Sequence, residues 1–251
     1  MSSDPSYLNT FRDNGHRIAA IRQQLVDFSQ THFRLEDIDA FASHLINQAG
    51  GEPAFKKVPG YRWATCINVN EQIVHHIPKG YLKPGDVVTL DTGMYYQGTT
   101  SDCATTFVVG TPQPEQAHFL SVGQKALLKA IAVSRIGSRV HDISETIQKN
   151  IESAGYSVVR TLTGHGLGQS MHEEPQIPCF ISADPILKTK LTEGMVLAIE
   201  VMYMTGDWPL TTDKDGWTMS TADGSLSAVF EDDIIITPSG PELITRLLSQ
   251  G

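Results

Sequence analysis

The sequence predicts an α+β fold, a single unit in which a central antiparallel sheet is covered on one side by helices and is assembled from two homologous halves. Three observations lead there. Segments recur in the same order along the chain, amphipathic helical spacing comes in pairs, and runs rich in Val, Ile and Thr follow each pair as strands.

The repeat is ungapped in its best segment. Leu82-Lys-Pro-Gly85-Asp-Val87-Val-Thr-Leu90-Asp91 matches Leu191-Thr-Glu-Gly194-Met-Val196-Leu-Ala-Ile199-Glu200, 109 positions further on. Upstream, Arg34-Leu-Glu-Asp37-Ile38 matches Arg139-Val-His-Asp142-Ile143 at a spacing of 105. In the first half, helices are expected over residues 12–28 and 35–48, the second stopping at Ala49-Gly50 because Gly takes the left-handed C′ conformation cheaply. Strands follow at 66–74, 87–96 and 105–109. The second half repeats the order: helices at 116–133 and 140–153, the latter stopping at Ala154-Gly155, then strands at 156–160, 195–204 and 227–237. Residues 205–223, rich in Gly, Asp and Thr, read as a hairpin or loop. No linker or low-complexity tract divides the chain, so residues 1–251 are expected to form one catalytic domain with halves near 12–110 and 116–240.

Composition narrows the function. With 251 residues, 40% of them hydrophobic, the chain can bury a sizeable core. No apolar run reaches membrane-spanning length, and the polar start lacks signal-peptide order, so the expected compartment is the cytoplasm. A net charge of −9 speaks against nucleic acid or an anionic membrane as a partner. Three cysteines without C-x-x-C spacing indicate neither a disulfide framework nor a zinc knuckle.

The repeated strands end on Asp91 and Glu200, each after apolar residues, and a buried carboxylate is costly unless paired or metal-bound. Asp102 follows Asp91 across a hairpin-length return, and Glu231 can return to Glu200 in the same way. Any one of these acids alone is more commonly a cap or a solvated charge; the symmetry of Asp91 with Glu200 changes that balance. Four converging carboxylates repel unless divalent cations hold them, and carboxylate with imidazole suits Mn, Fe, Co or Zn. The best imidazole is His165, in Thr163-Gly164-His165-Gly166-Leu-Gly168, where flanking glycines permit close backbone approach. Two such metals, about 3.5–4 Å apart, generate a hydroxide and clamp a peptide carbonyl, which is hydrolytic chemistry.

His75 and His172, each near a proline, are not needed for a five-residue ligand set and are free to hydrogen-bond a scissile amide. Trp217, in Asp215-Gly-Trp-Thr, either covers a loop or walls an apolar pocket, and Cys66 is either core or pocket lining. His16, His32, His44, His118 and His141 read as solvated or capping residues. Neither the HExxH zinc helix nor the GxGxxG phosphate loop is present.

Taken together, Cys66-Ile-Asn68-Val-Asn70-Glu71 leading to His75-x-Ile-Pro78, Leu90-Asp91, Thr100-Ser-Asp102, Gly164-His165-Gly166-x-Gly168 with His172-Glu-Glu-Pro175, Ala198-Ile-Glu200 and Asp215-Gly-Trp217-Thr resemble the type I methionine aminopeptidases over nearly the whole chain. The resemblance implies the pita-bread fold, two pseudosymmetric halves around a dinuclear site, and removal of N-terminal methionine ahead of a small second residue. It implies metal ligation by Asp91, Asp102, His165, Glu200 and Glu231, with Asp91 bidentate on one metal, Asp102 and Glu231 bridging, and His165 and Glu200 completing the other shell. It implies substrate contacts from His75 and His172, a proton-accepting role for Glu200, and a methionine pocket near Tyr61, Cys66 and Trp217. The expected partner is the N-terminal Met of nascent polypeptides, with a monomeric state and ribosome association as further expectations. His76 stands where the family usually has Gly, Phe55 and Val58 replace common pocket residues, and Met171 replaces a frequent aromatic. Two other readings share these residues: an Xaa-Pro peptidase of the same fold and a non-catalytic peptide-binding module.

Overall fold

The computed structural model describes residues 5–246, so residues 1–4 and 247–251 of the expected domain lie outside the described residues. Helix α1 covers Pro5–Ser29 and α2 covers Leu35–Gln48. The first begins seven residues earlier than its periodicity predicts because Phe11, with Tyr7 and Leu8 beside it, is buried against Leu167, Val196 and Ile235. Glu36 and Asp37 sit in the first turn of α2, where the helix dipole favours acids, and Gly50 follows its end at φ +78°.

Short strand β1, Glu52–Pro53, is followed by β2, Thr65–Val69, and β3, Gln72–Val74. The single strand expected over 66–74 is thus broken, and the break falls where Asn70 takes φ +57°. Strands β4, Val87–Tyr96, and β5, Thr99–Val108, form a hairpin whose two loop residues, Gln97 and Gly98, both have positive φ (+45° and +85°). That turn matches the right-handed strand twist. It also starts β5 six residues earlier than the expected 105–109.

The second half opens with α3, Pro114–Val133, and α4, Val140–Glu152, whose N-terminus is closed by Asp142 Oδ2 accepting from Arg139 N at 2.7 Å. Then come β6, Ser157–Val158; β7, Thr163–Gly166; β8, Glu173–Pro178; and β9, Val196–Met204. The stretch 205–223 contains the expected hairpin, β10, Leu210–Thr212, and β11, Met219–Thr221, before β12, Ser227–Thr237, and β13, Gly240–Leu243.

Pairing is antiparallel throughout. One sheet joins β1 and β2 to β4 and β4 to β5; a larger one runs β13-β12-β9-β7-β8 with β6 on β9; a small one runs β10-β11-β3. The two larger sheets meet where β5 lies along β12. No ladder joins those strands among the described residues; the seam is made by side chains, such as Thr106 Oγ1, which donates to Val229 O at 2.7 Å. Helix α1 packs on β4 and β5, and α3 packs on β9 and β12. Each half has its own apolar core, around Leu25, Ile38 and Leu90 in the first and Ile143, Ile199 and Tyr203 in the second. Pseudosymmetry extends to detail: Arg34 bridges Tyr81 as Arg139 bridges Lys190, and Gly85 and Gly194 both have positive φ and donate to Val109 O and Ile236 O.

Candidate metal centre and substrate cavity

Strand register brings the acids together. Asp102 pairs with Gly93, two residues from Asp91 on the same face of the β4–β5 hairpin, and Glu231 lies directly opposite Glu200 on β9–β12. Like charges placed opposite one another destabilise a sheet, so the Glu200–Glu231 pair requires compensation. His165, opposite Ala198 on β7, enters from the adjacent strand. Its neighbours must be glycines: a Cβ at Gly164 would stand 2.6 Å from Ala198 O, and one at Gly166 would strike Glu174 O.

Ligand-type atoms of Asp102, His165 and Glu231 all lie within 4.8 Å of one another, and each residue is buried. His165 Nε2 is 3.5 Å from Glu200 Oε1, and Asp91 lines the same space. Because the Gly166 carbonyl only accepts, the 3.0 Å contact to His165 Nδ1 fixes that nitrogen as the donor and leaves the Nε2 lone pair facing the carboxylates. Burial, reinforced by His172, lowers the imidazole to about 4, so His165 is neutral near pH 7. Burial raises Asp102 to about 7 against the lowering contact with Asp91, and burial together with the neighbouring acids pushes Asp91, Glu200 and Glu231 well above the ordinary carboxylate range.

Asp91 Oδ1, Asp102 Oδ1 and Glu231 Oε1 are buried without a protein partner. Orphaned carboxylate oxygens beside a neutral imidazole are the donor set that a hard-to-borderline divalent cation completes.

These residues form the floor of a cavity of about 370 Å³. Its apolar wall is the cluster Phe55, Tyr61, Cys66, Met171 and Trp217, with the Tyr61 and Trp217 rings 5.1 Å apart at 72°. Tyr61 OH donates to Thr65 O at 2.8 Å and lies 3.2 Å from Cys66 Sγ. Burial holds the Cys66 thiol far above its usual value, which makes it pocket lining rather than a nucleophile. His75 and His172 also line the cavity. Their outer edges reach solvent, yet the surrounding protein lowers both imidazoles below the ordinary value, and His172 packs edge-on against His165 at 4.5 Å. The positive φ in this loop, +60°, belongs to His75 itself; His76 is held by its ring Nδ1 donating to Ile67 O and its N–H to Asn68 Oδ1.

All ten predicted site residues therefore face one cavity. Val74, Gln176 and Met202 line it as well and carry no local motif that marks them. Asp233, next to the centre, also escapes the motif reading, although an acid inside the apolar run of β12 was a readable signal.

Residues 10–238 match metallopeptidase family M24. The chain is 41% identical to a methionine aminopeptidase of Clostridium perfringens, covering 84% of each sequence, and 36% identical to methionine aminopeptidase 1 of Bacillus subtilis, covering 97% of this chain and 98% of the relative. Among solved structures, the methionine aminopeptidase of Thermotoga maritima superposes with a TM-score of 0.90 at 36% identity, over 96% of this chain and 97% of that one. The prolidase of Pyrococcus furiosus, at 21% identity and a TM-score of 0.77, shares the fold and is covered over 65% of its length.

Proposed function

The chain belongs to metallopeptidase family M24, and from that premise we infer that it is a methionine aminopeptidase, a metal-dependent hydrolase that removes N-terminal methionine from polypeptides. The observation that carries the reading is the set of orphaned carboxylate oxygens around neutral His165 at the floor of a cavity with an apolar, aromatic wall. The fold is the pita-bread arrangement shared with these relatives.

We assign the cations to Asp91, Asp102, His165, Glu200 and Glu231, whose ligand atoms share the cavity floor. A divalent pair held there would supply a hydroxide at neutral pH and Lewis acidity toward the scissile carbonyl; Mn, Fe, Co and Zn all suit the donors. Glu200 accepts the proton released during attack at a carboxylate oxygen. His75 and His172, neutral near pH 7, hydrogen-bond the scissile amide, and Tyr61, Cys66 and Trp217 hold the methionine side chain. An apolar pocket discriminates one methylene by only about 1–3 kcal/mol, so the polar groups orient the bond while the cavity's shape selects the side chain.

The reading takes nascent chains as the source of substrate and residues 1–251 as one catalytic domain. It takes the cytoplasm as the compartment, supported by three buried, unbridged cysteines. No helix among the described residues is long and apolar enough to cross a membrane.

A peptide panel tests the activity. Reconstituted protein should release methionine from Met-Ala-Ser and leave Ala-Pro peptides intact; cleavage confined to Xaa-Pro bonds would move the chain to the prolidase reading.

A further inference from the structure

Asp102 and Glu231 belong to different sheets. Their strands, β5 and β12, run side by side without a ladder, so backbone pairing does not set the separation of these two acids, both assigned as ligands. Other bonds across the seam must do so.

Two residues beyond Glu231, on the same face of β12, stands Asp233, which is fully buried. Its Oδ2 accepts from Ser101 Oγ at 2.5 Å and from the backbone N–H of Asp102 at 2.9 Å. Its own N–H donates to Thr245 Oγ1 at 2.8 Å. The residue therefore grips the backbone of one assigned ligand, Asp102, from the strand that carries another, Glu231. On the opposite face, the Asp232 carboxylate takes Arg22, Thr245 and Arg246, and Arg22 also donates to Glu231 O at 3.1 Å and reaches Ala104 O at 3.5 Å.

Beside the run Ile234 to Ile236, a buried carboxyl is an expensive choice, and Asp233 Oδ1 has no protein partner. Two donors on Oδ2, both from the segment that presents Asp102, are what offset that cost. Packing alone would be served by an apolar side chain here, as at Ile234 to Ile236.

We propose that Asp233 is a positioning residue: through Ser101 Oγ and Asp102 N it fixes the spacing of Asp102 and Glu231 across the seam, and thereby sets the affinity and coordination geometry of the divalent pair. The proposal rests on the ligand assignment above and adds a residue that does not itself touch the metals.

The test is titration of metal-stripped protein with Co(II), read by calorimetry and by the visible ligand-field spectrum, on wild type, Asp233→Ala, Asp233→Asn, Ser101→Ala and the seam control Thr106→Val. Outer partners of metal ligands are typically worth about 10–100-fold in affinity, so Asp233→Ala should weaken Co(II) binding by at least about tenfold and shift the spectrum. Asp233→Asn keeps an acceptor oxygen and should stay within about threefold of wild type. Ser101→Ala, which removes one donor and leaves the acid, should fall between them; it carries the test if Asp233→Ala does not fold. Thr106→Val should leave the spectrum unchanged. Wild-type affinity and spectrum in Asp233→Ala would overturn the proposal. So would an Asn variant as weak as the Ala variant, which would assign the effect to charge, or an equal loss in Thr106→Val, which would make it general seam stability. Failure of the wild type itself to bind Co(II) would instead overturn the ligand assignment.

Discussion

His165 offers its Nε2 lone pair to the centre because Gly166 O commits Nδ1 as a donor, while burial keeps the ring neutral. The acids behave oppositely. Asp102 sits at about 7 in the folded chain against an ordinary 3.8, so its contribution to the stability of metal-free protein is present below 3.8 and lost as pH rises toward 7. A cation reverses that penalty by taking the proton's place. Apparent metal affinity should therefore fall about tenfold per pH unit below pH 7 for each proton displaced, and calorimetry in buffers of differing ionisation enthalpy should detect proton release. A second expectation concerns the pocket wall. A Cβ at Gly93 would meet Met171 Cε at 3.0 Å, Phe55 Cε1 at 3.1 Å and Ser101 O at 3.2 Å. Gly93→Ala should push the flexible Met171 tip into the cavity and raise KM for Met-Ala-Ser by roughly fivefold, about 1 kcal/mol, with the fold retained by circular dichroism.

At the scale of elements, the β4–β5 hairpin delivers Asp102 to Asp91, and its turn needs positive φ at Gly98. Gly98→Val should cost about 1–2 kcal/mol and lower the melting temperature by roughly 2–8 °C. The length of β5 was not legible, because Thr99 to Ala104 lacks an apolar alternation; the turn, not the strand's own residues, fixes its start. Strand β7 was equally hidden: Thr163-Gly-His-Gly has almost no strand propensity and is held by β8 and β9 on either side. Both prolines of β8 bury, a tertiary outcome that local pattern does not report. What could be read were the four helices, through their spacing and glycine stops, and β4, β9 and β12, through continuous apolar runs. Asp91 and Glu200 were legible because the repeat placed both at the ends of equivalent strands. Asp233 was legible only as an acid beside an apolar run; its role was not, since its partners Ser101 and Asp102 are more than a hundred residues away.

For the molecule as a whole, two half-sheets meet at an unladdered seam, and the proposed metal centre straddles it. Helix α1 reaches across through Arg22, whose guanidinium is tied to Asp232, Glu231 O and Thr245 O. Removing one partner of a buried ion pair typically costs about 3–5 kcal/mol; because Arg246 and Thr245 also hold Asp232, Arg22→Met should lie near the low end, measured by urea unfolding of metal-free protein. We propose that this junction holds two divalent cations and that hydrolysis depends on them. The most direct measurement strips the protein of metal, returns Mn(II) in counted equivalents, and follows bound metal and methionine release from Met-Ala-Ser together. No release is expected without metal, and recovery should track occupancy up to two equivalents per chain; undiminished release from stripped protein, or tight metal binding with no release, would overturn a dinuclear hydrolytic centre.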